Sequence, residues 1–308
     1  MTSKEIAENI GSSRQYVLKV WMEEGLKGKR HQSYLFNENY FNKPMNRKMA
    51  YIIGFIAADG CLYKRNGHIG QLRIVINKKD IEILEFINSE IANGSRKPPK
   101  INKTKLKREN KIYEYTALEF NSDILYNSLT SLGLMDRKTW IMDLREIFLS
   151  IGEEFFDDFI VGYFDGDGSI SYRNGNNRPS NTYITFSMPK DNANFLIEYF
   201  NNHYGISPSF IKDKRKYKNE FGSVIFKNTK EKYIVSKILS SLPFSLSRKR
   251  ERCLKLIHMV EKNATNRKQN RDAIDYWYFN TKNSIPHKIS WNKQHLNKIN
   301  TLTYQFRR

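Results

Sequence analysis

Acidic residues are scarce in this chain of 308 residues: 32 Asp and Glu stand against 52 Lys and Arg, leaving a formal charge of +20. An imbalance that large, with a pI near 9.7, exceeds what solubility requires and points to a polyanionic partner, nucleic acid being the natural one. Cysteine is nearly absent. Cys61 and Cys253 are the only two, too few for a disulfide framework or a zinc site, which fits a reducing cytoplasm. Long apolar runs are also missing. No stretch approaches the ~20 residues a membrane helix needs, so a basic membrane-surface role lacks its anchor. The opening Met-Thr-Ser-Lys-Glu has no signal-peptide character. What is present is a 39% hydrophobic chain, long enough for two domains or one pseudo-symmetric domain with extensions. Its wealth of Lys, Asn, Ile, Tyr and Phe suits an AT-rich genome, whether bacterial, phage or organellar.

One stretch occurs twice. Ile160-Val161-Gly162-Tyr163-Phe164-Asp165-Gly166-Asp167-Gly168 repeats, 108 positions on, the pattern of Ile52-Ile53-Gly54-Phe55-Ile56-Ala57-Ala58-Asp59-Gly60. Small residues four apart, Gly54 with Ala58 and Gly162 with Gly166, clear one face of a helix so that a second backbone can approach. Each copy ends in Asp-Gly. A glycine there predicts a left-handed helix terminator, with the carboxylate in the last turn. The helix dipole already places about half a negative charge at that end, and packing the two helices together brings Asp59 near Asp167. A divalent cation resolves that conflict, and hard oxygen ligands suit Mg2+ rather than zinc.

The surroundings of the two copies also repeat. After Gly60, Leu72, Ile74 and Ile76 alternate with Gln71, Arg73 and Asn77 around a turn at Asn66-Gly67, which reads as a hairpin with one greasy and one polar face. Asp80 is expected to cap a helix carrying Ile83, Leu84, Ile87 and Ile91. A basic loop from Ser95 to Lys111 leads to a strand over Ile112 to Asn121, then to a helix from about Asp123 to Leu132. In the second half Arg173-Asn174-Gly175 repeats Arg65-Asn66-Gly67 at the 108 offset. Lys190-Asp191 repeats Lys79-Asp80, and Arg248-Lys249 repeats Arg137-Lys138, both at an offset of 111. A three-residue insertion in the first hairpin of the second half accounts for the change. A second basic loop, Lys212 to Lys218, precedes a strand over Gly222 to Lys227.

Each half is therefore helix, hairpin, helix, hairpin, helix, an α+β arrangement of two αββαββα repeats. Joined through their glycine-faced helices, the halves bury both and form a saddle of two antiparallel sheets. Short helical extensions flank them. The expected division is 1–45 for an N-terminal extension and linker, 46–150 and 151–260 for the repeats, and 261–308 for a basic tail with Trp277, Tyr278, Trp291 and Tyr304. In the N-terminal extension, Ile6, Ala7 and Ile10 form one helix face, Gly11 a turn, and Ser12 or Ser13 the cap of a second helix carrying Val17, Val20 and Trp21. That spacing is similar to a DNA-binding helix-turn-helix, with Ser13, Arg14 and Gln15 at its base-facing start. A helical hairpin packed on the next domain is the other reading.

The two Asp-Gly stretches resemble the paired LAGLIDADG motifs of single-chain homing endonucleases. The second matches almost letter for letter, and the first departs at Ala57, where the pattern has Asp. The resemblance covers roughly residues 45 to 255. It implies metal-dependent hydrolysis of both DNA strands across the minor groove, leaving short 3′ overhangs, by a monomer acting through two halves. Asp59 and Asp167 would hold Mg2+, or Mn2+, with the carbonyls of Ala58 and Gly166, and no organic cofactor is implied. Lys138 and Lys249 resemble the family's active-site lysines, with Arg137 and Arg248 as alternates. Besides Arg14 and Gln15, the expected DNA contacts are Arg65, Arg73, Lys79, Arg173, Lys190, Lys214 and Arg215. Two rivals stand beside cleavage: a LAGLIDADG and helix-turn-helix regulator that binds without cutting, and an intron RNA maturase. Neither needs both terminal carboxylates.

Overall fold

The two Asp-Gly stretches form a central pair of helices, and the rest of the described chain is arranged around them. The computed structural model describes residues 3–23, 35–65, 68–108, 111–135, 142–172, 179–214 and 221–265. Two helices open the chain, α1 (Ser3–Asn9) and α2 (Arg14–Glu23), joined by Gly11 at φ +63°. Ser13 is the cap between them, its Oγ accepting from Tyr16 N at 3.1 Å. Ala7 and Val17 are buried, while Ile10 is 58% exposed and so does not belong to the apolar face expected of it.

The first repeat runs through the first motif helix α3 (Arg47–Asp59), β1 (Gly60–Tyr63), β2 (Gln71–Asn77), α4 (Ile81–Ile91), β3 (Asn102–Arg108), β4 (Lys111–Asn121) and α5 (Asp123–Ser131). A connector, α6 (Leu144–Ile151), leads into the second repeat. That repeat comprises the second motif helix α7 (Phe156–Asp167), β5 (Gly168–Tyr172), β6 (Thr182–Pro189), α8 (Lys190–Tyr204), β7 (Ser209–Lys212), β8 (Phe221–Phe226) and α9 (Thr229–Leu239). A long helix, α10 (Ser247–Thr265), follows. The sheets have the same antiparallel order, β1-β2-β4-β3 and β5-β6-β8-β7. The two αββαββα repeats expected from the sequence are thus present.

Period-two patterning decides which way each sheet faces. Leu72, Ile74 and Ile76, with Leu118 and Phe120 opposite, turn inward onto Ile83, Leu84 and Ile87 of α4. In the second sheet Ile184, Phe186 and Met188 with Val224 and Phe226 do the same against Leu196 and Phe200 of α8. One continuous core joins both halves through Ile52, Phe55, Ile56, Phe159, Ile160 and Phe164, each no more than 1% exposed. Each such side chain contributes roughly 1.5–3 kcal/mol on burial.

Several local expectations are corrected. Gly60 and Gly168 are not left-handed terminators: their backbones are extended, at φ −74°, ψ 153° and φ −88°, ψ 157°. Each motif helix hands its last residue directly to a strand. Glycine is needed there for space, because a Cβ on Gly60 would lie 2.7 Å from Ile56 Cγ2 and one on Gly168 would lie 2.0 Å from Phe164 Cδ2. Asp80 does not cap α4 with its side chain, since a short 3-10 turn, Lys78–Asp80, intervenes and its carboxylate is bound elsewhere. Residues 102–108, assigned to a basic loop, are the edge strand β3. The end of the assigned linker is also folded, with Tyr40 and Phe41 in the core.

The insertion is resolved by strand pairing. Gly60 pairs with Ile74, 14 residues on, whereas Gly168 pairs with Phe186, 18 residues on. The second hairpin therefore gains four residues rather than three, and Asp191 follows Phe186 by five residues where Asp80 follows Ile74 by six, which restores the 111 offset. The turns at Asn66-Gly67 and Arg173-Asn174-Gly175, residues 215–220 and the tail beyond residue 265 lie outside the described residues.

Candidate active site

The site is built by the closeness of the motif helices. A Cβ on Gly54 would lie 2.0 Å from Phe159 O, and one on Gly162 would lie 1.9 Å from Tyr51 O, so only hydrogen fits at either crossing point. At the start of the pair, Arg47 of α3 donates to Asp158 of α7 from Nε at 3.2 Å and from Nη2 at 3.1 Å. At the far end the helices stay just as close. A Cβ on Gly166 would lie 2.3 Å from Ala58 Cβ and 3.4 Å from the carboxyl carbon of Asp59.

The carboxylate of the first helix therefore lies beside the last turn of the second. Asp59 and Asp167 are both exposed. Tyr163, on the same helix as Asp167, is buried in the core, and its hydroxyl donates to Ser187 O at 3.0 Å. Burial pushes the Tyr163 phenol well above its ordinary range, and the negative charges of Asp167 and Asp59 add to that shift. A single ring thus feels both terminal carboxylates.

Lys249 reaches the same place from α10. Its Nζ donates to the carbonyls of Phe164 and Asp165 at 2.7 Å, Gly168 at 2.8 Å and Gly166 at 3.3 Å. An ammonium over the carbonyl end of a helix complements the dipole. Burial lowers its pKa to about 8, against the attraction of Asp165 and Asp59. Lys249, which resembles an active-site lysine of the family, thus lies at the end of the second motif helix with its amine turned onto backbone oxygens.

Asp165, which has only Ala57 as its counterpart, accepts from Tyr51 Oη and from Leu246 N, both at 2.7 Å. It joins the first helix to the start of α10, and burial raises its pKa to about 6. Arg248 reaches across to the first half, Nε at 2.6 Å and Nη2 at 2.8 Å from the Asp80 carboxylate. Beside it, Ser247 donates from N and Oγ to Glu82 at 2.8 and 2.7 Å. The sequence did not reveal these cross-half bonds. The 111 offset that pairs Asp80 with Asp191 and Arg248 with Arg137 was the available signal, but it does not say which half binds which.

The other predicted residues are spread over the outer surfaces. Arg65, Lys79, Lys190 and Lys214 are exposed. Arg73 is on the outward face of β2, paired with Glu119. Arg14 and Gln15 are exposed at the start of α2, where Arg14 Nε donates to Ser3 Oγ at 3.3 Å. Lys138, Arg173 and Arg215 lie outside the described residues.

The donors at the helix ends fit a hard divalent ion. Asp59 and Asp167, with the expected carbonyls of Ala58 and Gly166, would make an all-oxygen set, the chemistry of Mg2+ or Mn2+ rather than zinc, although Gly166 O also accepts from Lys249 at 3.3 Å. Among the described residues no group of three or more His, Cys, Asp or Glu side chains is gathered for a metal.

No family model matches the chain, and no curated protein matches it significantly. Solved structures do. The homing endonuclease I-WcaI bound to its DNA recognition sequence is 14% identical, with a TM-score of 0.50 over 74% of this chain and 96% of that one. The LAGLIDADG meganuclease I-AabMI bound to uncleaved DNA is 10% identical, with a TM-score of 0.45 over 75% and 97%. I-DmoI in complex with DNA and Ca is 18% identical, with a TM-score of 0.42 over 68% and 97%. Two four-stranded sheets around a glycine-packed helix pair, and the I-WcaI match over nearly that protein's whole length, give this chain the saddle fold of the single-chain, two-motif LAGLIDADG homing endonucleases.

Proposed function

We propose that this chain is a site-specific DNA endonuclease that makes a divalent-metal-dependent double-strand break at a long, asymmetric target, working as a monomer. The observation that carries this reading is the approach of the two motif-helix ends: a Cβ on Gly166, the residue before Asp167, would lie 3.4 Å from the carboxyl carbon of Asp59. A pair of buried structural helices has no need of two exposed carboxylates there. The I-WcaI structure, in which a protein of this fold holds its DNA recognition sequence, supports a duplex as the partner. The net charge of +20 supports it independently.

In this reading the outward strand faces lie in the major groove and the helix ends meet the backbone between them. Asp59, Asp167 and the carbonyls of Ala58 and Gly166 would hold the metal. When bound, Mg2+ or Mn2+ supplies Lewis acidity and an activated water at the scissile phosphate. The chain's own part is positional. Arg47 with Asp158, and Arg248 with Asp80, lock one half to the other, so that the two carboxylates keep a fixed separation. Lys249 fixes the turn that carries Asp167, and Lys138 is proposed for the matching place in the first half.

The test is incubation of the purified chain with plasmids carrying DNA from the flanks of its own gene, with Mg2+ or Mn2+. Linear product that disappears with EDTA is expected. A protein that retains such DNA but never cuts it is the regulator instead, and one that prefers its intron RNA is the maturase.

A further inference from the structure

The two outward sheet faces are built from different chemistry. On the first sheet, Arg73 of β2 stands directly opposite Glu119 of β4, with Nε 3.0 Å from Glu119 Oε1 and the arginine side chain still 50% exposed. Next to them Gln71 Nε2 donates to Asn121 Oδ1 at 2.7 Å.

Strand pairing identifies the equivalent positions in the second sheet. Gly60 pairs with Ile74, and Ile74 with Leu118; Gly168 pairs with Phe186, and Phe186 with Val224. Thr185 and Ile225 therefore stand where Arg73 and Glu119 stand in the first sheet, and they too are paired. Around them the outward row continues with Ser169, Ser171, Ser187 and Ser223, with Tyr183 opposite Ser171 and the exposed Ile211 opposite Ser223. Among the described strand residues of the second sheet, none that faces outward is charged. Lys212, their one cation, is out of phase with that row, alternating with Ser209 and Ile211.

We infer that the two halves of the target are read unequally: the first sheet discriminates, through an arginine held at its centre by Glu119, and the second is permissive. The inference rests on the DNA-binding reading above. An arginine fork fixed by a neighbour is organised in advance for the two acceptors of guanine in the major groove. A serine or threonine hydroxyl rotates, donates or accepts, and so meets any base edge, while Ile225 offers only apolar contact of the kind a thymine methyl takes. Nor does a face without ions displace counterions. The salt sensitivity of binding should therefore come from the basic loops rather than from the uncharged second face.

The experiment is selection of bound duplexes from a randomised pool by the full-length chain in EDTA, so that binding is scored without cutting. Expected is one half-site with strong base preferences, including a guanine, and another with weak preferences that lean to thymine. Arg73→Ala should relax the preference at a single base pair of the strong half by about ten- to a hundredfold. Arg73→Lys, which keeps the charge but not the fork, should relax it similarly while preserving the salt dependence. Ser187→Ala should leave the profile within about threefold. Preferences spread evenly over both halves, or an Arg73→Ala profile unchanged at every position, overturn the inference and leave the endonuclease reading intact. Recovery of no duplex at all overturns both.

Discussion

Gly54 and Gly162 hold equivalent positions on the two motif helices, and each faces a backbone carbonyl of the other helix: Phe159 O for Gly54 and Tyr51 O for Gly162. Alanine at either position would put a methyl about 2 Å from that oxygen, and a backbone cannot yield as a side chain does. Gly54→Ala or Gly162→Ala should therefore cost about 3 kcal/mol or more, at or beyond the upper range for overpacking. Gly94→Ala is the control. It meets nothing within 4 Å and has only its φ of +75° to strain, so about 1 kcal/mol is expected. Denaturant midpoints decide the matter. Equal losses at Gly94 and Gly54 would mean the helices are not in backbone contact.

Lys249 tests how far the helix end depends on a single amine. Lys249→Met keeps the length of the side chain but removes the amine that donates to Asp165 O at 2.7 Å, while Phe164 O keeps the N–H of Gly168. A loss of about 2–3 kcal/mol is expected from an unsatisfied buried acceptor. Lys79→Met, at an exposed position, should stay within about 0.5 kcal/mol of the parent. If chemical denaturation shows both variants equally stable, the amine does not clamp the helix.

Most of the architecture was legible because its signals are local and repeated. The glycine spacing foretold the helix contact, alternation gave the sheet faces, and the 108 and 111 offsets gave the duplication. The errors arose where the chain's geometry depends on a partner. Gly60 and Gly168 follow helices and so read as left-handed caps, but the strand that begins at each draws the backbone into the extended region. Asp80 has the composition of an N-cap and is instead bound to Arg248, 168 residues later. Lysine-rich β3 looks like a loop by composition, and only its ladder with β4 makes it a strand. At the site, Asp59 and Asp167 could be named from sequence, whereas Tyr163 and the cross-half bonds of Arg47 and Arg248 depend on how the halves dock.

Asp59→Asn and Asp167→Asn separate cutting from binding. Each change removes a carboxylate at the metal site and a negative charge that faces phosphate. Double-strand cleavage should be abolished, while affinity for the target is kept or rises. Gel shift and linearisation of a target plasmid read the two effects apart. Either variant still linearising the plasmid at the parental rate would remove these carboxylates from the chemistry.

Asp157 gives the stability a pH dependence with a definite sign. Burial raises its pKa above the ordinary 3.8, against the hydroxyls of Tyr204 and Tyr199 that donate to it, with Asp158 and His203 as its titratable neighbours. A raised folded-state pKa means the proton favours the folded form. The contribution is fully present below the unfolded value and is lost as pH rises through the folded one. Asparagine imitates the protonated acid. Asp157→Asn should therefore be more stable relative to the parent at pH 7 than at pH 4, and parallel melting curves check this. A gap that widens on acidification would reverse the sign and place the charged carboxylate as the favoured form.

The N-terminal helix pair decides whether the target extends beyond the two sheets. Ala7 and Val17 bury the contact between α1 and α2, while Tyr16 and Leu18 stay 56% and 39% exposed beside Arg14 and Gln15. That surface can read bases or dock on protein. If it reads bases, deletion of residues 1–30 should shorten the footprint at one end and weaken specific binding, by about 1–3 kcal/mol for each base that is no longer read. Part of that loss should fade at high salt, where phosphate contacts count for less. Cleavage of a fully bound site should continue, since Asp59 and Asp167 are untouched. Arg14→Ala also removes the bond to Ser3, so Gln15→Ala is the cleaner local test. A truncated protein with full footprint and affinity but a lower melting temperature would make the pair a docked structural hairpin.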